Sequence, residues 1–265
     1  MARIFITGSA DGLGQMAARR LVASGHEVVL HARSAERARQ AMAAVAGARE
    51  ALVGDLSSIA ETRALAEQAN AALPFDAIIH NAGVGYRERK AETVDGLEHV
   101  FAINVLAPYL LTALIARPRR LVYLSSGMHR GGDPDLRDLQ WRHRRWNGAQ
   151  AYSDSKLFDL VLAFAVARRW PEVLSNAVEP GWVATRMGGD DAPDDLAQGP
   201  ETQVWLAVSD DPLAMVSGRY FYHRRLEHTH PAASELAVQD GLLSACEQLT
   251  GIALPGAHAD ESMTT

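Results

Sequence analysis

Arg3-Ile4-Phe5-Ile6-Thr7-Gly8-Ser9-Ala10-Asp11-Gly12-Leu13-Gly14 takes a short apolar strand straight into a glycine-rich turn, and Leu13 to Ser24 continues it as a helix. That context suits a phosphate-cradling loop. Gly8 permits the tight turn, Gly12 lets backbone amides approach a pyrophosphate, and Gly14 allows close packing of the helix. The helix N-terminus adds a partial positive charge. The glycines fall as GxxxGxG, and a bare turn without a ligand stays open on this stretch alone.

Outward from the turn, short apolar runs alternate with helical patterns. Arg3 to Thr7, Glu27 to His31, Glu50 to Val53, Ala77 to His80, Arg120 to Leu124 and Leu174 to Val178 read as strands, and Leu13 to Ser24, Glu36 to Ala46, Ala60 to Ala72, Leu97 to Ala116 and Tyr152 to Trp170 as helices. The alternation predicts a doubly wound (Rossmann-type) α/β/α domain: a parallel sheet of about seven strands with helices on both faces. We expect one domain over 1–257 and a frayed tail over 258–265. Neither a repeat nor a linker divides the chain, and the acidic, Pro-containing run Ala192 to Pro200 reads as a mobile segment.

Composition narrows the classes of function. At 265 residues and 48% apolar content a sizeable core is within reach, and a net charge of −6 argues against a nucleic-acid partner. The run Arg142-His143-Arg144-Arg145 is the basic exception and reads as a solvated loop. The single Cys246 rules out an internal disulfide and suits a reducing, cytoplasmic setting as an inert packed thiol. No leader is visible at the start, and no apolar stretch is long enough to span a membrane. His223, His228 and His230, with Glu227, make a weak metal candidate, so we expect none.

The acidic residue that would bind a ribose 2′-hydroxyl is expected about 20 residues after the glycine turn. Ala32, Arg33 and Ser34 stand there instead. A guanidinium without a nearby carboxylate favours a 2′-phosphate, so NADP(H) is preferred over NAD(H). Only two of the 26 basic residues are lysines, and one, Lys156, follows Tyr152 by one helical turn in Ala151-Tyr152-Ser153-Asp154-Ser155-Lys156. Residues at i and i+4 share a helix face. A cation there lowers the proton affinity of a phenol that is otherwise too weak an acid for neutral pH. Leu157, Leu160, Val161 and Phe164 fall on another stripe, so the helix could pack through one side and present the pair on the other.

With these marks, the chain resembles the short-chain dehydrogenase/reductase family over roughly its first 190 residues. The shared features are Thr7 to Gly14, Asp55-Leu56, Asn81-Ala82-Gly83, Asn104, Ser125-Ser126, Tyr152 with Lys156, and Pro180-Gly181-Trp182-Val183-Ala184-Thr185. The resemblance implies cofactor contacts from Gly8, Ser9, Ala10, Asp11, Gly12, Leu13 and Gly14, with Asp55 and Leu56 at the adenine. Asn81, Ala82 and Gly83 would let the backbone approach the inner ribose, and Pro180, Gly181, Val183 and Thr185 would border the nicotinamide. It makes Tyr152 the acid/base, Ser126 the residue that orients the substrate oxygen, Lys156 the ribose-gripping cation, and Asn104 the holder of a water linking Lys156 to solvent. Asp55 reads equally as a helix N-cap, and Asn104 as a satisfied core amide.

Ser126 and Tyr152 lie 26 residues apart, roughly twice the family's usual span. The insertion resembles the retinol-dehydrogenase-like branch. We expect the substrate rim from 127–150 and 187–200, and Trp141, Trp146, Trp182 and Trp205 could wall an apolar pocket or simply be core. The implied reaction is reversible hydride transfer between nicotinamide and a small carbonyl or secondary-alcohol substrate. A sensor or scaffold that binds cofactor without chemistry, and an epimerase or dehydratase using the nicotinamide transiently, remain as alternatives. Oligomeric state is open, with the helices 97–116 and 152–170 resembling those the family uses to pair subunits into homodimers or homotetramers.

Overall fold

A computed structural model of the protein describes residues 1–72 and 74–256; the tail expected over 258–265 lies outside the described residues. The expected strands form in order: β1 (Arg3–Ile6), β2 (Glu27–Ala32), β3 (Glu50–Val53), β4 (Ala77–His80), β5 (Arg120–Leu124) and β6 (Leu174–Glu179). β7 (Tyr220–Tyr222) and β8 (Arg225–Leu226) complete an eight-stranded sheet of order β3-β2-β1-β4-β5-β6-β7-β8. Seven strands are parallel, and the two-residue β8 pairs antiparallel with β7. It was not foreseen because the β7–β8 turn uses positive φ at His223 and Arg224, without the Gly or Asn that marks such hairpins.

Helices α1 (Gly12–Ala23), α2 (Ala35–Ala44), α3 (Ile59–Ala72), α4 (His99–Phe101), α5 (Ala107–Leu114), α6 (Gly148–Arg169), α7 (Glu201–Val208) and α8 (Leu236–Thr250) cover both faces. Alternation along each strand divides the side chains between two cores. Ile4, Ile6, Val28, Leu30, Ile79, Val122 and Phe221 pack with Ala17 and Leu21 of α1 and Leu206 of α7. Phe5, Val29, Ile78, Leu121, Tyr123 and Tyr220 pack with Leu65, Leu110, Leu160 and Leu242 on the opposite face. The result is the three-layer α/β/α arrangement.

Two helical expectations need correcting. The helix expected over 97–116 is interrupted by a π-helical stretch, Ala102–Leu106, that includes Asn104. Such stretches often mark functional positions. α6 starts at Gly148, capped by Asn147 Oδ1, which accepts from Ala149 N at 3.1 Å and Gln150 N at 3.2 Å. Tyr152 therefore sits inside the helix. The helix does not bury one side only, since Ala151 to Ala163 are all buried, Tyr152 and Lys156 included. Sheet, insertion and α8 cover it together.

β1 lies between β2 and β4. The winding reverses there, opening a crevice at the C-terminal ends of β1 and β4, where open sheets of this kind take ligands. Thr7-Gly8 and Asn81-Ala82-Gly83 face each other across it.

Candidate active site

The crevice is knitted by short polar bonds. Thr7 Oγ1 accepts from Asn81 N and Ala82 N, each at 3.0 Å, and Asn81 Nδ2 donates to Thr7 O at 3.0 Å and Gly8 O at 3.1 Å. Gly8 takes φ 62°, and a Cβ there would come within 2.8 Å of Ala82 Cα. A Cβ on Gly14 would come within 2.5 Å of Gly8 O, so its missing side chain lets α1 close on the loop. Gly12, at φ 54°, faces open space. Asp11 precedes α1 without capping it through its side chain. The first-turn amides of α1, lacking a side-chain cap, together with the open space at Gly12, fit a pyrophosphate.

His31 holds the loop from beneath. Its Nδ1 accepts from Gly8 N at 2.9 Å, and its Nε2 contacts Gly54 O at 2.9 Å. A carbonyl can only accept, so the proton is on Nε2 and the ring is neutral, in keeping with burial pulling its pKa down. Nothing about His31 marked it in the sequence beyond a His closing a buried strand.

At the expected adenosine end, Arg33 is exposed, while Ser34 Oγ accepts from Arg37 N at 3.3 Å and caps α2. Arg37 pairs with Asp11 at 2.5 Å, so the carboxylate in the glycine loop already has its counter-charge. Asp55 does not cap α3. Its Oδ1 accepts from Ser57 N at 2.9 Å and Ser57 Oγ at 2.8 Å, forming a local turn, and Ser58 Oγ accepts from Glu61 N at 3.3 Å in the capping position. Leu56 is buried beside it. On the nicotinamide side, Gly181 takes φ 87° against Asp194, whose Oδ2 accepts from Trp182 N at 2.6 Å. Pro180 is half-buried, Val183 is buried, and Thr185 Oγ1 accepts from Gly188 N at 3.2 Å.

Tyr152, Ser126 and Lys156 converge at the end of β5. The Ser126 side chain is near enough to the Tyr152 hydroxyl to pull the phenol's pKa down. Lys156 Nζ lies 5.7 Å from the Tyr152 ring centre, and Tyr86 meets that ring edge-on at 6.1 Å. Ser125 Oγ instead donates to Lys156 O at 2.7 Å, a structural bond that leaves Ser126 as the serine facing the phenol. Next to it, His129 Nδ1 donates to Ser126 O at 2.7 Å, and burial pulls this ring down to about 4, so it too is neutral.

The electrostatics differ from the expectation of a phenol made acidic by its lysine. Burial raises the Tyr152 pKa and outweighs the downward pull of Lys156 and Ser126. Lys156 is itself engaged, donating to Leu124 O at 2.7 Å and to Asp159 Oδ2 at 2.7 Å. Asp159 was not anticipated, although a carboxylate three residues after a lysine in an apolar helix is a usable signal. The Asn104 amide is bonded into its surroundings. Its Oδ1 accepts from Val84 N at 2.8 Å, while Nδ2 donates to Val84 O at 3.1 Å and Ser155 Oγ at 2.9 Å. Both Nδ2 hydrogens are used, and Oδ1 keeps a second lone pair.

The insertion is pinned to α6 by Asp154. Its Oδ1 accepts from Asp133 N and Gln150 Nε2, both at 2.8 Å, and its Oδ2 pairs with Arg144 at 2.8 Å. Arg144 also stacks on Trp141 at 3.8 Å. The basic run is therefore not simply solvated, because one of its arginines is an anchor. Among the tryptophans, Trp205 is core against Phe221, Trp141 is buried against Trp146, and Trp182 is 54% exposed.

Comparison with known proteins agrees with this architecture. The family profile described as short chain dehydrogenase matches residues 2–126. An uncharacterized oxidoreductase of Emericella nidulans is 47% identical over 97% of this chain and 100% of its own length. Human retinol dehydrogenase 13 is 30% identical over 95% of this chain and 85% of its own length. Among solved structures, a protein of Mycobacterium paratuberculosis superposes with a TM-score of 0.84 at 28% identity, covering 96% of this chain and 95% of its own. Fold and relatives define an oxidoreductase built on a doubly wound α/β sheet. The chain belongs to the short-chain dehydrogenase/reductase family. Among the described residues no helix is long and apolar enough to cross a membrane, and no group of three or more His, Cys, Asp or Glu is placed to hold a metal ion.

Proposed function

We propose that the protein is an NADP(H)-dependent oxidoreductase acting between a carbonyl and a secondary alcohol, with Tyr152 as its acid/base. The convergence of Tyr152, Ser126 and Lys156 beside the glycine crevice is the observation that carries this reading. The uncapped start of α1 and the open space at Gly12 fit the pyrophosphate, with Gly8, Ser9, Ala10, Asp11, Leu13 and Gly14 shaping the loop. Asp55 and Leu56 would flank the adenine, Asn81, Ala82 and Gly83 the inner ribose, and Pro180, Gly181, Val183 and Thr185 the nicotinamide. The bound cofactor supplies or accepts the hydride. Ser126 orients the substrate oxygen, and Tyr152 gives its hydroxyl proton to that oxygen in reduction and takes one back in oxidation. Lys156 keeps one of its three N–H donors for the cofactor ribose.

The rim over 127–150 and 187–200 would select the substrate. The Trp182 indole donates to Gly188 O at 2.9 Å, which fixes its polar edge and leaves an exposed apolar face toward an apolar carbonyl compound. A buried lone cysteine and the lack of a spanning helix among the described residues support a cytoplasmic reading.

The test is a screen of aldehydes, ketones and quinones for net consumption of NADPH, with NADH alongside. Net oxidation is expected; cofactor that cycles without net change would favour an epimerase or dehydratase, and binding with no turnover a sensor. Arg33→Ala checks the cofactor preference. A charge-assisted bond to the 2′-phosphate contributes about 1.5–3 kcal/mol, so the NADPH-over-NADH ratio in kcat/KM should fall roughly 10- to 150-fold. An unchanged ratio would discard Arg33 as the determinant.

A further inference from the structure

The buried lysine of the site is not alone with the phenol. Lys156 Nζ and Asp159 Oδ2 lie 2.7 Å apart, one turn along α6, with both side chains almost wholly out of water. A buried ion pair is weak evidence for stability, because well-packed apolar residues of similar volume often do as well or better. The titratable groups facing this pair are Tyr152 on the same helix and Tyr123 from β5. Tyr123 is held at 2.7 Å by Thr112 of α5 and stacks on His80 of β4, a ring that burial pulls down to about 3 and so keeps neutral.

We propose that Asp159 is a positioning residue of this oxidoreductase: its carboxylate keeps Lys156 charged and in place beside Tyr152. The inference rests on the reading of Tyr152 as the acid/base. A lysine buried alone is driven to shed its proton. A phenolate could serve as its counter-charge only in the half of the cycle in which Tyr152 is ionised, whereas Asp159 serves in both halves. When Tyr152 ionises, the new negative charge is attracted by Lys156 and repelled by Asp159. The attraction is the stronger of the two. At Lys156 the pull of Asp159 and Tyr152 more than offsets burial and raises the ammonium, whereas at Asp159 burial outweighs the lysine and pushes the carboxyl up to about 6. Near neutral pH Asp159 is therefore ionised, Lys156 protonated and Tyr152 neutral. That combination suits protonation of a carbonyl oxygen more than deprotonation of an alcohol.

The test follows kcat/KM for NADPH-dependent reduction of phenanthrenequinone as pH rises. Activity needs protonated Tyr152, so it falls on the alkaline side, and ultraviolet difference titration against Tyr152→Phe assigns that fall to the phenol. In Asp159→Asn the buried lysine loses its counter-charge and sheds its proton, the phenol loses the cation beside it, and the fall should move to higher pH by about one unit. Asp159→Glu keeps the charge and should leave it near the parent position. A fall that stays in place or moves downward in Asp159→Asn would overturn the inference. If the Asn protein does not fold, the smaller neutral Asp159→Ser carries the same expectation. Folding with Glu but with neither neutral residue would also count against it, as the mark of a structural carboxylate. Should Tyr152→Phe remove no phenolate transition at the alkaline fall, the proposed acid/base itself would fail, a result distinct from an unmoved Asp159→Asn profile.

Discussion

Tyr152→Phe should reduce turnover of a carbonyl substrate by about 10²- to 10⁴-fold, the usual contribution of a positioned proton donor. The substitution removes one oxygen and little else. The ring is 6% exposed and meets Tyr86 edge-on at 6.1 Å, contacts that Phe retains. What disappears is the hydroxyl that faces Ser126. NADPH affinity should change by no more than about twofold, because the glycine loop and the Lys156 donors are untouched, and a split of this kind between kcat and binding marks a group that acts in the transition state. Steady-state kinetics with a fluorescence titration of NADPH measures both. Turnover at the parent rate would remove Tyr152 from the mechanism.

Gly14→Ala should weaken NADPH binding by roughly 5- to 150-fold, the range that corresponds to about 1–3 kcal/mol of overpacking strain. The added methyl would come within 2.5 Å of Gly8 O and 3.0 Å of Ser9 Cα, and neither is a flexible side chain that can turn away. Relief requires α1 to retreat from the loop, taking with it the amides that fit the pyrophosphate. Asn81, which bonds Thr7 O and Gly8 O, would be pushed as well. Isothermal titration with NADPH checks the affinity, and a thermal melt should show a lowered midpoint. Gly12→Ala is the control: it meets no atom within 4 Å, so it tests the φ of 54° without the clash. An unaltered affinity in Gly14→Ala would show that the loop does not depend on this contact.

Much of the fold was readable because it rests on local signals. β3, β4 and β5 occupy the spans expected from their apolar runs, and the glycines of the first turn adopt the conformations that their missing side chains allow. β7 is only three residues long and is followed by His223 and Arg224, so neither length nor turn chemistry announced it. The candidate site was legible where residue type and spacing coincide, as in Tyr152 and Lys156. It was not legible where a side chain's use depends on what packs against it from a distance. Asn104 could be assigned to a relay or to structure from sequence, and only the positions of Val84 and Ser155 show which bonds its amide makes. Nothing in the sequence singled out Asp154 or Asp159. One ties down the insertion and the other pairs with the site lysine, because the helix is buried by neighbours that periodicity alone does not reveal.

The most direct test of the proposed chemistry follows the transferred hydrogen itself. NADPH carrying deuterium at both hydrogens of nicotinamide C4 is incubated with the protein and a carbonyl substrate found in the screen, and the alcohol is analysed by mass spectrometry and NMR. One deuterium should appear on the carbinol carbon for each cofactor consumed, with the hydroxyl hydrogen coming from solvent. A product whose carbinol carbon carries hydrogen from water, or a cofactor consumed without deuterium reaching that carbon, would contradict hydride transfer at this site.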